Sequence, residues 1–116
     1  MEYMLFLGEA NAREQIAPTD PAFGEYMAGW QAYNQKLIDG GHWIDGAQLQ
    51  PVTTATTIKR VAGEDTIVDG PFAETKEQLG GYYLIEAPDL DAAMSWAARC
   101  PGATYGAIEV RPVWTM

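Results

Sequence analysis

Asp69-Gly70-Pro71-Phe72-Ala73-Glu74-Thr75-Lys76-Glu77, running on into Leu79-Gly80-Gly81-Tyr82-Tyr83-Leu84-Ile85, is the stretch on which the reading of this chain turns. Four charged side chains and a rigid Gly-Pro corner stand between two strand-like runs. A turn that only reverses the chain takes about two to five residues and needs no such density of ionisable groups. Before it, Thr54 to Val61 is rich in β-branched residues, and Thr66-Ile67-Val68 matches it across Ala62-Gly63-Glu64-Asp65. That pair predicts a hairpin with a four-residue loop. After it, Leu79 to Ala87 predicts an apolar strand whose Gly80-Gly81 start signals a bulge or a close backbone approach.

Working outward, Tyr3 to Leu7 is apolar throughout, as in a central strand. Asp20 before Pro21 is read as an N-cap followed by a proline at the first helical position. Phe23, Tyr26, Met27, Trp30, Tyr33, Leu37 and Ile38 then recur at helical spacing until Gly40-Gly41 stops the helix. Trp43 to Leu49 is a weaker extended segment. Pro88-Asp89 caps a second helix carrying Leu90, Ala93, Met94 and Ala97 on one face, and Pro101-Gly102 ends it. Ala107 to Val113 is the last strand.

Strand, helix, hairpin, strand, helix, strand predicts an α+β domain: a ferredoxin-like antiparallel sheet with two helices on one face and an extra β-hairpin. Residues 1–116 are read as a single domain. Tyr, Leu, Ile and Val recur on both sides of the central strands, so the face away from the helices also needs a cover. The economical cover is a second copy of the chain, hence a homodimer with a shared cavity.

Sixteen acidic against 7 basic residues give a net charge of −9, which repels phosphate backbones and anionic lipid. Nucleic acid and membrane are therefore not expected partners. One cysteine excludes an internal disulfide, and the start lacks a basic leader, so a cytoplasmic location is expected. No Cys-x-x-Cys, phosphate-cradling glycine loop or Gly-x-Ser-x-Gly elbow is present. With His42 as the single histidine, neither a metal site nor a cofactor is expected.

The candidates for chemistry are few. His42 is either a loop histidine at a helix C-terminus or a general acid or base. Asp69 is either an Asx-turn carboxylate or a ligand-facing group at a cavity mouth. Gly70, Pro71 and Phe72 fix the backbone beside it, and Glu74 and Lys76 either pair in solvent or fold over the cavity, where Lys76 would suit an anionic small molecule. Glu109 and Arg111 share one face of the last strand, as a salt bridge or as a ligand anchor. Tyr82 and Tyr83 point to opposite sheet faces, so one of them faces the cavity, and Tyr83 is included in the site. Cys100 is read as a packing residue. Any ligand is expected between the Asp69–Lys76 loop and the last strand. Charges facing a closed cavity would favour a small-molecule protein, and an exposed apolar patch beside Asp69 a protein-binding one.

Gly46-Ala47-Gln48-Leu49-Gln50-Pro51, Ala55-Thr56-Thr57-Ile58, Asp69 through Glu77, Leu79 to Ile85, Trp96-Ala97-Ala98-Arg99-Cys100-Pro101 and Glu109-Val110-Arg111-Pro112 together resemble the DGPF branch of the YCII-related proteins. The resemblance implies a ferredoxin-like fold that dimerises into an α+β barrel, with a cavity in each subunit near the interface. Some members carry a His–Asp pair proposed as catalytic, and a few relatives act as lyases or isomerases on small cyclic acids. Here the histidine's place falls near Gly29-Trp30 and the aspartate's near Cys100, so the pair is not retained. His42 lies too far along the chain to replace it. DGPF proteins are also often encoded beside, or fused to, extracytoplasmic-function sigma factors, which implies a regulatory interaction protein as the alternative.

Overall fold

In the computed structural model of the protein the described residues are 1–9, 19–50, 52–70, 78–104 and 106–114. In chain order the elements are β1 (Glu2–Glu9), α1 (Phe23–Asp39), β2 (Trp43–Gln48), β3 (Thr56–Val61), β4 (Glu64–Asp69), β5 (Gln78–Glu86), α2 (Leu90–Arg99) and β6 (Ile108–Pro112). Four strands form an antiparallel sheet in the order β2-β5-β1-β6, while among the described residues β3 and β4 pair with each other as a separate two-stranded sheet. This is the ferredoxin-like arrangement with an inserted hairpin.

The alternation of β1 divides the sheet into two unlike faces. Tyr3, Leu5 and Leu7 point to the helices and are buried with Tyr33 and Leu37 of α1 and Ala93, Trp96 and Ala97 of α2. Met4 and Phe6 point the other way, beside Tyr82 and Leu84 of β5, and all four are half-buried. Among the described residues no second layer covers them, and the molecule measures 47 × 44 × 19 Å. Its short dimension is one sheet and one helix thick.

Local chemistry sets the element ends. α1 starts at Phe23, with Ala22 at the N-cap and no capping side chain. Asp20 caps the preceding turn instead, where Oδ1 accepts from the Ala22 N–H at 2.8 Å. At its other end Gly41 takes φ +75 and donates to the Ile38 carbonyl, while the His42 N–H reaches Leu37. Two otherwise orphaned carbonyls are thereby satisfied, a Schellman closure that a side chain with a Cβ resists. Asp89 caps α2, its carboxylate accepting from the Ala92 N–H at 2.9 Å. The buried stripe of α2 is Ala93, Trp96 and Ala97, whereas Leu90 and Met94 are about half exposed. Between β5 and β1 the register shifts at Leu7/Gly8, leaving Gly80 as the bulge.

The β3–β4 hairpin closes on two residues, not four. Ala62 and Gly63 both have positive φ, 53 and 81. That primed turn matches the twist of its strands and brings Glu64 and Asp65 into the ladder, where Asp65 pairs with Arg60. Every residue of the two strands is exposed except Thr57, which is half-buried.

Candidate functional site

The site grows from a helix face laid over a sheet edge. Tyr26, Trp30 and Asn34 recur every fourth residue along α1 and so share one face. Opposite them stand Trp43 and Gly46 of β2, Gly81 and Tyr83 of β5, and Leu7 of β1. These residues, with Met27 and the backbone around Gln48, line an open-mouthed cavity of about 280 Å³. A dry engineered cavity of about 150 Å³ already accepts benzene, so this volume suits one substituted ring.

Its walls are rings held at fixed angles. Trp30 lies nearly parallel to Tyr83, centroids 6.3 Å apart and planes 15° apart. Trp43 meets Tyr83 edge-on at 5.7 Å and 79°. Gly46 makes that contact possible, because a Cβ there would sit 2.9 Å from Trp43 Cη2 and 3.0 Å from Tyr83 Cδ1. Behind Tyr83, Tyr33 packs edge-on at 5.5 Å, and its own hydroxyl donates to the Trp96 carbonyl at 2.8 Å.

The polar groups of the cavity are neutral. The Tyr83 hydroxyl donates to Asn34 Oδ1. Burial, with a smaller contribution from the Cys100 thiol, pushes the Tyr83 phenol above its ordinary range, so it stays a protonated donor at neutral pH. That bond fixes the Asn34 amide across the cavity. Among the described lining residues none is charged. Among the described residues Trp30 Nε1 is the buried side-chain polar atom left without a partner.

The residues expected from the sequence lie in several places. Tyr83 lines the cavity. His42 does not: it half-buries between Trp96, at 5.0 Å, and the Glu86 carbonyl, which its Nδ1 meets at 2.8 Å. Asp69 is exposed at the end of β4, opposite Thr56. Gly70 follows with φ +113, held by its N–H to Ala55 and by the Thr57 hydroxyl on its carbonyl. Pro71, Phe72, Glu74 and Lys76 lie outside the described residues. Glu109 and Arg111 pair with each other on the sheet face away from the helices, and Arg111 also lies 5.5 Å from the Phe6 ring. The structure thus brings Glu109 and Arg111 together, apart from Tyr83. Trp30, Asn34 and Trp43 were absent from the sequence reading of the site. Periodicity cannot tell a core stripe from a cavity wall, but Asn34, polar on an apolar face, was a legible signal. Among the described residues no three His, Cys, Asp or Glu side chains gather as a metal site. No helix there is long and apolar enough to cross a membrane.

Known proteins of similar sequence and shape agree with the fold. "Uncharacterized protein R00369" of Rhizobium meliloti (strain 1021) is 43% identical over 89 residues, 75% of this chain and 72% of that one. The solved structure of 5-chloro-2-hydroxyhydroquinone dehydrochlorinase (TftG) from Burkholderia phenoliruptrix AC1100, in complex with 2,5-dihydroxybenzoquinone, is similar with a TM-score of 0.51. The match spans 99% of this chain and 94% of that one at 17% identity, a likeness of fold. The sequence pattern of the YCII-related domain matches residues 1–116, and the chain belongs to that family.

Proposed function

We propose that this protein binds a small organic molecule in the cavity between α1 and the β2–β5 edge. The observation that carries the reading is the wall itself: three oriented rings around about 280 Å³, with one phenol–amide pair aimed across it. Apolar walls with a few placed polar groups are what a ligand pocket is made of. A neighbour of the same fold was solved with a quinone ring, a molecule of suitable size. The described lining supplies recognition without an acid or base that titrates near neutrality, so binding is the reading the geometry supports ahead of turnover. A cytoplasmic setting suits it, since Cys100 is a free thiol there. A screen of single-ring compounds by nuclear magnetic resonance tests the proposal. Ligands should move the amides of Leu7 and Gly81, and Met27→Trp, which fills the cavity, should abolish the shifts while the fold persists. Binding that survives Met27→Trp would place the site elsewhere.

We also infer a homodimer through the open sheet face. Met4, Phe6 and Leu84 form an apolar centre, flanked by the Glu109–Arg111 pair on one side and Asp45 with Tyr82 on the other. An apolar core with a polar rim is the anatomy of an interface.

A second reading, a protein partner such as a sigma factor, is favoured by the hairpin that ends on Asp69. Ile58, Val61, Ile67 and Val68 are 62%, 66%, 70% and 44% exposed there. Loss of a co-purifying sigma factor on Ile58→Lys with Ile67→Lys, with the cavity still binding its ring, would support this reading beside the first.

A further inference from the structure

We propose that the face of the β3–β4 hairpin carrying Ile58 and Ile67 packs on a second copy of the chain, so that the dimer interface has two parts, sheet and hairpin. The inference rests on the homodimer read from the open sheet face and goes one step further, to the surface that completes it. It gives the hairpin to a second copy rather than to another protein.

Residues opposite each other in an antiparallel ladder share a face. Ile58 therefore shares one with Ile67, beside the Arg60–Asp65 ion pair, and Thr57 shares the other with Val68. The second face is engaged at its base by its own chain: Thr57 is half-buried, and its hydroxyl donates to the Gly70 carbonyl at 2.7 Å. Ile58 and Ile67 are more exposed than Val68, and so form the face that needs a cover. A two-stranded ribbon is marginal in water until a further strand or a packed layer supports it. Area points to what supplies that layer. Four strands with about five paired residues each, at about 3.4 Å per residue and 4.8 Å between strands, give the open sheet face a footprint of roughly 320 Å². A standard interface covers about 800 Å² of each partner, so the sheet face falls well short by itself. The hairpin, with six paired residues on each strand, adds roughly 200 Å². The molecule is 19 Å across its short dimension, so the hairpin stays within the thickness of the sheet and its helices. One flat partner can therefore meet sheet and hairpin together, and two-fold symmetry makes the hairpin contact twice.

Sedimentation of the full chain over a range of concentrations tests this with two double variants. Ile58→Lys with Ile67→Lys should raise the dimer dissociation constant by at least about tenfold, the scale of losing an interface anchor. Added lysines reduce the repulsion between two chains of charge −9, so a weaker dimer cannot be the work of net charge. Val61→Lys with Val68→Lys, on the other face, should leave the constant within about twofold. In the unaltered protein, amide exchange in β3 and β4 should quicken on dilution below the dissociation constant, while exchange in α1 and the central strand β1 stays the same. An unchanged constant for the Ile58, Ile67 variant, with Phe6→Glu still giving a monomer, would overturn the inference and leave the homodimer standing. Loss of a co-purifying protein from that variant, with the dimer intact, would overturn it in favour of another partner. Equal weakening by both double variants would overturn the assigned face. A monomer at micromolar concentration in the unaltered protein would overturn both the inference and the dimer it rests on.

Discussion

Tyr33 and Tyr83 do different work although they touch. Tyr33 spends its hydroxyl on the Trp96 carbonyl, tying α1 to α2, while Tyr83 turns its hydroxyl toward the cavity. Tyr33→Phe should therefore lower stability by about 1–2 kcal/mol, because a buried carbonyl loses its donor, and denaturant unfolding measures that. The same burial makes the fold sensitive to alkali. Burial is the main cause that raises the Cys100 thiol from 9.0 to about 11, and both buried phenols also lie above their ordinary value of 10.0. Between the unfolded and folded values the native state keeps protons that the unfolded chain has released, so rising pH favours unfolding. Stability should be level from about pH 6 to 8 and fall above about 9, and Cys100→Ala should move the onset toward 10, where the phenols take over. Neither tyrosine's partner was legible from the sequence. Residue spacing places a ring on a face, but a hydroxyl's acceptor comes from another element far along the chain.

Elements whose ends are set by their own residues could be read directly. The stripe of α1 and its Gly40-Gly41 stop were legible because helical period and a left-handed closure are local facts, and so was Asp89 as a cap. The β3–β4 turn was placed two residues too wide, since Glu64 and Asp65 look like loop residues until Arg60 faces Asp65 across the ladder. On α2 the buried stripe turned on Trp96, whose bulk fills the space between Tyr33 and His42. The hairpin also carries a cost at Ala62, whose φ of 53 is a conformation an L side chain resists by about 1–2 kcal/mol. Ala62→Asn creates the Asn-Gly pair that this turn favours. It should slow amide exchange in β3 and β4 by about five- to tenfold, on the scale of about 1 kcal/mol per residue relieved, with α1 and β1 unaffected. Equal exchange in the two proteins would mean that the hairpin is held by something other than its turn.

At the scale of the molecule, two facts belong together: a sheet covered on one side and a hairpin standing clear of it. The radius of gyration is 16.0 Å, against about 13 Å for a compact chain of about 100 residues. Phe6→Glu, on the open face, should turn a dimer into a monomer in sedimentation at micromolar concentration while leaving the monomer folded. Arg111→Met should change the stability of a single chain by less than about 1 kcal/mol, because its pair with Glu109 is exposed. That apolar residues stand on both faces of the sheet was legible in β1 and β5. The cavity was not, because its walls come from three strands and a helix that meet only when the chain is folded. Tyr83 sits between Trp30 and Trp43, both within 6.3 Å, close enough for light absorbed by the phenol to be handed on to an indole. Trp114, 88% exposed, adds a water-quenched background unrelated to the interior. With Trp114 replaced by Phe, the fluorescence that remains comes from Trp30, Trp43 and Trp96, and two of those three emitters are the cavity's own walls.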